Sequence, residues 1–173
     1  TKDGAVFVTE FGAGRIVQLG DAGFTSIAEG LTAPIGLRED DDGSLLVTEE
    51  GLFSLARIDR ATGARTLVAK LAHNVTYVAR GPDGAAYVSS FAELADTKKG
   101  GVFRVDLGSG AITPFATDMN VPEGLFVSGE GRFFVAEWLL PSAVLRFESG
   151  GGPAASATVV AEGFQNVYGL ADD

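Results

Sequence analysis

Asp42-Gly43-Ser44-Leu45-Leu46-Val47-Thr48-Glu49 is a turn ending in glycine, a β-rich run, then a small residue and a glutamate. The pattern recurs at Asp3-Gly4-Ala5-Val6-Phe7-Val8-Thr9-Glu10, at Asp83-Gly84-Ala85-Ala86-Tyr87-Val88-Ser89-Ser90 and at Glu130-Gly131-Arg132-Phe133-Phe134-Val135-Ala136-Glu137. The final residues of the four segments are 39, 41 and 47 positions apart. A period of about 40–45 residues is that of a four-stranded propeller blade.

The second unit divides into four short strands around this stretch. Ile35 to Arg38 is the first, Ser44 to Thr48 the second, Ser54 to Ile58 the third and Arg65 to Lys70 the fourth. The turns Asp40-Asp41-Asp42-Gly43 and Asp59-Arg60-Ala61-Thr62-Gly63 separate them, as antiparallel hairpins require. No segment shows a helical period of ten or more residues. The third strands repeat an arginine between two apolar residues, at Arg57, Arg104 and Arg146, which predicts solvated blade faces.

The two ends of the sequence fit one blade. Asn166 to Asp173 reads as a first strand entering its turn, and Thr1 to Gly4 as the end of such a turn before a second strand. The sequence therefore predicts an all-β propeller of about four four-stranded blades, the first closed by the C-terminal strand. The expected blades are 164–173 plus 1–30, 31–71, 72–118 and 119–163. An open arc of a larger ring, and two chains exchanging the tail strand, satisfy the same pattern.

Composition bounds the function. The 173 residues are 46% hydrophobic, which excludes a disordered chain, and no apolar run approaches the length of a membrane span. The net charge of −10 argues against nucleic acid or an anionic membrane as partner. The absence of cysteine excludes disulfides, thiolate metal sites and cysteine nucleophiles. A thiol-free chain suits either redox compartment, and the expectation leans to a secreted or periplasmic address. The sequence opens at Thr1 without a signal-peptide pattern, as a processed or trimmed chain would.

Repeat position nominates a site. Loops before each first strand and after each second strand share one face of a propeller, around the channel. Before the first strands stand Thr32-Ala33-Pro34, His73-Asn74-Val75, Asn120-Val121-Pro122-Glu123 and Gln165-Asn166-Val167. Asparagines there either bond local backbone or offer amide oxygens to a hard cation such as calcium. Glu10, Glu49, Glu50 and Glu137 at the second-strand exits form a solvated rim or supply carboxylates to such a site. Glu123 immediately precedes Gly124 in a first strand, close to the axis, and it and His73 are the catalytic candidates. Gly36, Gly124 and Gly169 share a first-strand position where Tyr77 stands in the third unit, plugging the channel or offering a hydroxyl. Trp138 and the long loop from Phe91 to Gly101, with Lys98 and Lys99, make the mouth asymmetric. Tyr77, Tyr168, Glu10, Glu49, Glu137 and Trp138 are the candidate ligand contacts.

The Asp-Gly turns, the Val-Thr-Glu exits, the run Arg57 to Gly63 and Asn166-Val167-Tyr168-Gly169-Leu170-Ala171 resemble one broad group. It comprises NHL-type and gluconolactonase / senescence-marker-protein / strictosidine-synthase-like propellers, including streptogramin-lyase-like repeats. The resemblance spans the whole chain as repeats. It implies a propeller that serves either as a binding or scaffold module, for a small molecule or protein, or as a cation-dependent hydrolase of lactones or esters. Lactonase members hold a divalent cation, usually Ca²⁺, with a Glu and Asn or Asp side chains at the channel mouth. By position that implies Asn74, Asn120, Asn166 and Glu123, with Ala33-Pro34 a departure in the second unit. The streptogramin-lyase likeness implies a channel histidine, for which His73 is available. Both a monomer and a strand-exchanged dimer are compatible with these repeats.

Overall fold

The computed structural model describes residues 1–92 and 99–171. Its strands are β1 (Val6–Glu10), β2 (Arg15–Gly20), β3 (Gly23–Ala28), β4 (Pro34–Glu39), β5 (Leu45–Glu49), β6 (Ser54–Ile58), β7 (Arg65–Lys70) and β8 (Asn74–Arg80). They continue as β9 (Ala86–Phe91), β10 (Gly100–Val105), β11 (Ile112–Met119), β12 (Pro122–Val127), β13 (Phe133–Glu137), β14 (Ser142–Phe147), β15 (Gly152–Pro153) and β16 (Thr158–Phe164). Only two 3-10 turns, Glu50–Leu52 and Ala154–Ser156, interrupt them among the described residues. The repeat glycine ends each Asp-Gly or Glu-Gly turn in the left-handed region, as at Gly43 with φ +83°, where a Cβ would be strained.

The strands form four successive sheets that follow the repeat. Their orders are β1-β2-β3, β4-β5-β6-β7, β8-β9-β10-β11-β15 and β12-β13-β14-β16. The fifth strand of the third sheet, β15, reaches over from the fourth unit and pairs parallel with β11. In the last three sheets the inner strand pairs with the second in one register: Leu37 opposite Val47, Val78 opposite Val88, and Leu125 opposite Val135.

The core lies between sheets. Ile16, Ala28 and Leu31 meet Leu45, Val47, Ala56 and Ile58 at the first junction. Leu46, Leu55 and Leu71 meet Val75, Val78, Val88 and Val105 at the second. Tyr87, Val102, Phe115 and Met119 meet Leu125, Phe133, Val135 and Leu145 at the third. A fully buried aliphatic side chain contributes roughly 1.5–3 kcal/mol, so these layers drive the stacking. Alternate residues of β5 serve opposite layers, which is why the whole strand is buried.

Near the axis, a hydroxyl from each of the first three second strands crosses to the next inner strand, whereas β13 carries Ala136 at that position. Thr9 Oγ1 donates to Ile35 O at 2.8 Å, Thr48 Oγ1 to Thr76 O, and Ser89 Oγ to Glu123 O at 2.7 Å. Thr48 and Ser89 also accept from the N–H groups of Gly36 and Tyr77, at 2.8 and 3.0 Å. The backbones approach so closely that a Cβ on Gly36 would lie 2.6 Å from Thr76 O and 2.8 Å from Tyr77 Cα.

One expectation is corrected. The tail does not close the first blade: β1 belongs to a three-stranded sheet, and residues 165–171 form no strand. The tail lies beside β12 instead, where a Cβ on Gly124 would run into Tyr168 O. Val167 N donates to Ser142 Oγ at 3.3 Å and Asn166 Nδ2 to Trp138 O at 3.3 Å. The tail thus takes the inner-strand place after the fourth blade. Gly169-Leu170 matches Gly36-Leu37 whichever blade it joins, so its local sequence is silent on the choice. Phe164 also belongs to β16 rather than to the tail. The third-strand arginines keep part of their surface in solvent, and Arg57 and Arg104 pair there with Asp40 and Asp83, each at 2.6 Å. Lys98 and Asp173 lie outside the described residues.

Replacing Gly36 with alanine is expected to destabilise the fold by about 2 kcal/mol or more, because backbone must move. Gly12→Ala, where a Cβ meets nothing within 4 Å, is expected to stay within about 0.5 kcal/mol. Chemical denaturation of the two variants checks the contrast.

Candidate functional site

The two predicted loop sets do share a face. Glu50 N donates to Ala33 O and Trp138 N to Val121 O, both at 3.0 Å, tying each second-strand exit to the turn before its inner strand. Ala33, Val121 and Asn166 all hold that turn in the left-handed region, with φ of 51°, 49° and 60°. Asparagine tolerates this conformation, so Asn166 has a backbone reason to be there. Asn120 lies one position earlier in the repeat, and Asn74 begins β8. The three expected amides therefore do not form a ring in one register.

The expected rim of carboxylates is mostly structural. Glu49 is fully buried. Its Oε1 accepts from Thr32 N at 3.0 Å and its Oε2 from Arg65 Nε at 2.6 Å. Glu137 repeats the first contact, accepting from Asn120 N at 2.7 Å. Its pKa is raised by burial, with the Asn120 hydrogen bond opposing. In both blades the acceptor lies 17 residues beyond the donor. The third blade has Ser90 there, and the corresponding His73 is exposed with no side-chain partner among the described residues. Glu10 pairs with Arg15, whose guanidinium stacks 5.0 Å over Phe24.

Glu123 is different. It lies on β12, its carbonyl fixed by Ser89, and its half-buried side chain finds no hydrogen bond or ion pair among the described residues. Burial pushes its carboxyl up to about 7, with a further contribution from the Glu50 charge. Tyr77 is raised by burial and by Glu123 and Tyr168. These four residues share one field at the channel, and a Cβ on Gly169 would stand 3.7 Å from the Tyr77 hydroxyl. Tyr77 thus reaches across to the tail. The Trp138 and Tyr168 rings lie 6.1 Å apart, and Trp138 Nε1 is buried without a partner. Glu50 was legible among the strand exits, but that its charge acts on Glu123 depends on how the blades are placed around the axis.

The donor set fits a cation only in part. Glu123 and Glu50 supply two hard carboxylates, and Asn120 Oδ1 is a buried acceptor without a donor. Asn166 is turned to Trp138 O through its amide nitrogen, and no three His, Cys, Asp or Glu gather among the described residues. Calcium favours six to eight oxygens, so backbone or solvent must supply the remainder.

Several solved propellers share this architecture. A gluconolactonase from Xanthomonas campestris is 17% identical over 83% of this chain and 54% of its own, with a TM-score of 0.72. Regucalcin from Agrobacterium tumefaciens, a calcium-binding protein, is 21% identical over 91% of this chain and 55% of its own, at 0.70. The nidogen/laminin complex contains a chain 14% identical over 96% of this one and 64% of its own, at 0.76. The fold is that of a β-propeller like the gluconolactonase, regucalcin and nidogen structures, and the chain spans between half and two thirds of their lengths. No protein-family model and no curated protein matches the sequence.

Glu49→Ala is expected to cost about 2–3 kcal/mol, since it strands the Thr32 N–H and unpairs Arg65, whose exposure moderates the loss. Glu123→Gln is expected to do the opposite above neutrality. A carboxyl raised in the folded state favours folding while protonated, and this is lost as pH rises from the ordinary value of 4.5 through about 7. Melting curves from pH 5 to 8 should show the variant gaining on the parent as pH rises.

Proposed function

We propose that this protein is a binding propeller whose channel mouth takes a positively charged group from a small molecule or a protein partner. The observation that carries this reading is Glu123, half-buried and within the field of Glu50, with no basic residue engaging either among the described residues. An acid pair in low dielectric gains from any cation placed between them. Trp138 and Tyr168 supply aromatic surface beside it, suited to an ammonium or guanidinium group. The matched chain of the nidogen/laminin complex, a protein found in a protein assembly, supports a protein-binding version.

A second reading is a divalent-cation-dependent lactonase or esterase-like hydrolase. It is favoured by the unpartnered Asn120 Oδ1 near the mouth, and by the gluconolactonase and calcium-binding neighbours. Glu123, Glu50 and Asn120 would hold the ion, which would polarise a carbonyl. His73, exposed and unengaged, is available to a substrate at the same face.

Calorimetric titration with CaCl2 and with an organic ammonium salt tests both. A bound cation is expected to raise the melting temperature, more at pH 8 than at pH 6, because a proton on Glu123 competes with it. Glu123→Gln should abolish the effect. Calcium binding together with lactone hydrolysis would favour the second reading, and ammonium binding without hydrolysis the first. Indifference to both cations at pH 8 would refute the acidic-mouth site.

A further inference from the structure

Three of the four blades carry an aromatic residue at one repeat position of the mouth. Val47, Val88 and Val135 share one register against their inner strands, and three residues beyond them stand Glu50, Phe91 and Trp138. The first blade has Phe11 there. Glu50 and Trp138 are held alike, each by its own N–H on the turn before an inner strand. The acid of the second blade and the rings of the others thus belong to one collar.

The backbone brings two rings to Glu123. Val121 O, two residues before Glu123, accepts from Trp138 N at 3.0 Å. Tyr168 O lies against Gly124, the residue after Glu123. The Trp138 and Tyr168 rings meet there, with centroids 6.1 Å apart and planes inclined at 55°. Rings inclined in this way form an open corner instead of a stack, and a cation in front of it can lie within about 6 Å of both centroids. Tyr77 adds a third ring, its hydroxyl 3.7 Å from a Cβ placed on Gly169, the neighbour of Tyr168.

Rings outnumber free carboxylates at this place, and that selects among cations. Glu49 and Glu137 are occupied by backbone N–H groups, which leaves Glu123 and Glu50. Ca²⁺ favours six to eight oxygens, and no three His, Cys, Asp or Glu gather among the described residues. A primary ammonium gives up hydrogen bonds to water that an aromatic face does not replace. A quaternary ammonium has no N–H to satisfy. It presents methyl groups to the rings, and its spread charge still faces the carboxylate. Resting on the acidic mouth argued above, we propose that the group taken there is a quaternary ammonium, with Trp138 and Tyr168 as the rings that select it and Glu123 as its counter-charge.

Trp138 is the single tryptophan of the chain, so its fluorescence reports on this corner directly. Titration with tetramethylammonium chloride at pH 8 and constant ionic strength is expected to change the emission saturably. Half-saturation should fall at least about tenfold below that for methylammonium chloride. Tyr168 is 55% exposed, so its substitution leaves the core intact. Tyr168→Leu should remove the preference with an unchanged circular dichroism spectrum, and Tyr168→Phe should keep it. Choline and a peptide bearing trimethyllysine, titrated in the same way, show by the tighter binding which kind of molecule carries the group. No preference for tetramethylammonium over methylammonium, or a preference that survives Tyr168→Leu, would overturn the inference and leave the acidic mouth standing. A response to neither ammonium ion nor CaCl2 would refute that mouth and this inference with it.

Discussion

Everything in this molecule hangs on how closely one blade's inner strand approaches the next. Thr48 and Ser89 each accept from an N–H on their own inner strand and donate to a carbonyl on the neighbouring one. Such a bond replaces the water that a buried carbonyl loses, and forms only when the two backbones are within a hydroxyl's reach. Gly36 makes that approach possible at the Thr48 crossing, and Gly124 allows the tail the same closeness to β12. The apolar layers at the three junctions supply most of the driving force, but they would tolerate sliding. The hydroxyls near the axis fix the blades against one another.

The same constraint shapes the channel mouth. The turns before β4, β12 and the tail enter from a left-handed residue, and in two blades a buried glutamate accepts from the N–H just before it. Acidic residues that look like a solvated rim are therefore tied to backbone. Once Glu49 and Glu137 are assigned to holding the turns, Glu123 and Glu50 stand out as carboxylates that the fold does not use. The cost of keeping Glu123 half-buried appears as its raised pKa.

Much of this was written in the chain. The Asp-Gly turns, the second-strand runs and the recurrence near forty residues determined the all-β class, the four units and the position of every repeat turn, because turn chemistry and strand alternation are local. The shared face of the two loop sets followed from repeat position alone, and so did the closeness of Glu123 to the axis. Asn74, Asn120 and Asn166 misled because adjacent repeat positions look alike in sequence, yet only one of them demands a left-handed backbone.

Tertiary structure alone decided where the tail goes, which acids are spent on backbone, and that the charge of Glu50 acts on Glu123. Each depends on contacts between residues far apart in the chain. The tail's Gly169-Leu170 carries the signature of an inner strand and fits any blade equally well. Its place beside β12 was settled by the close packing of Gly124 against Tyr168 and by the grip of Ser142 and Trp138 on residues 166 and 167. Sequence determines what each strand is; the energy of packing between blades determines which neighbour it meets.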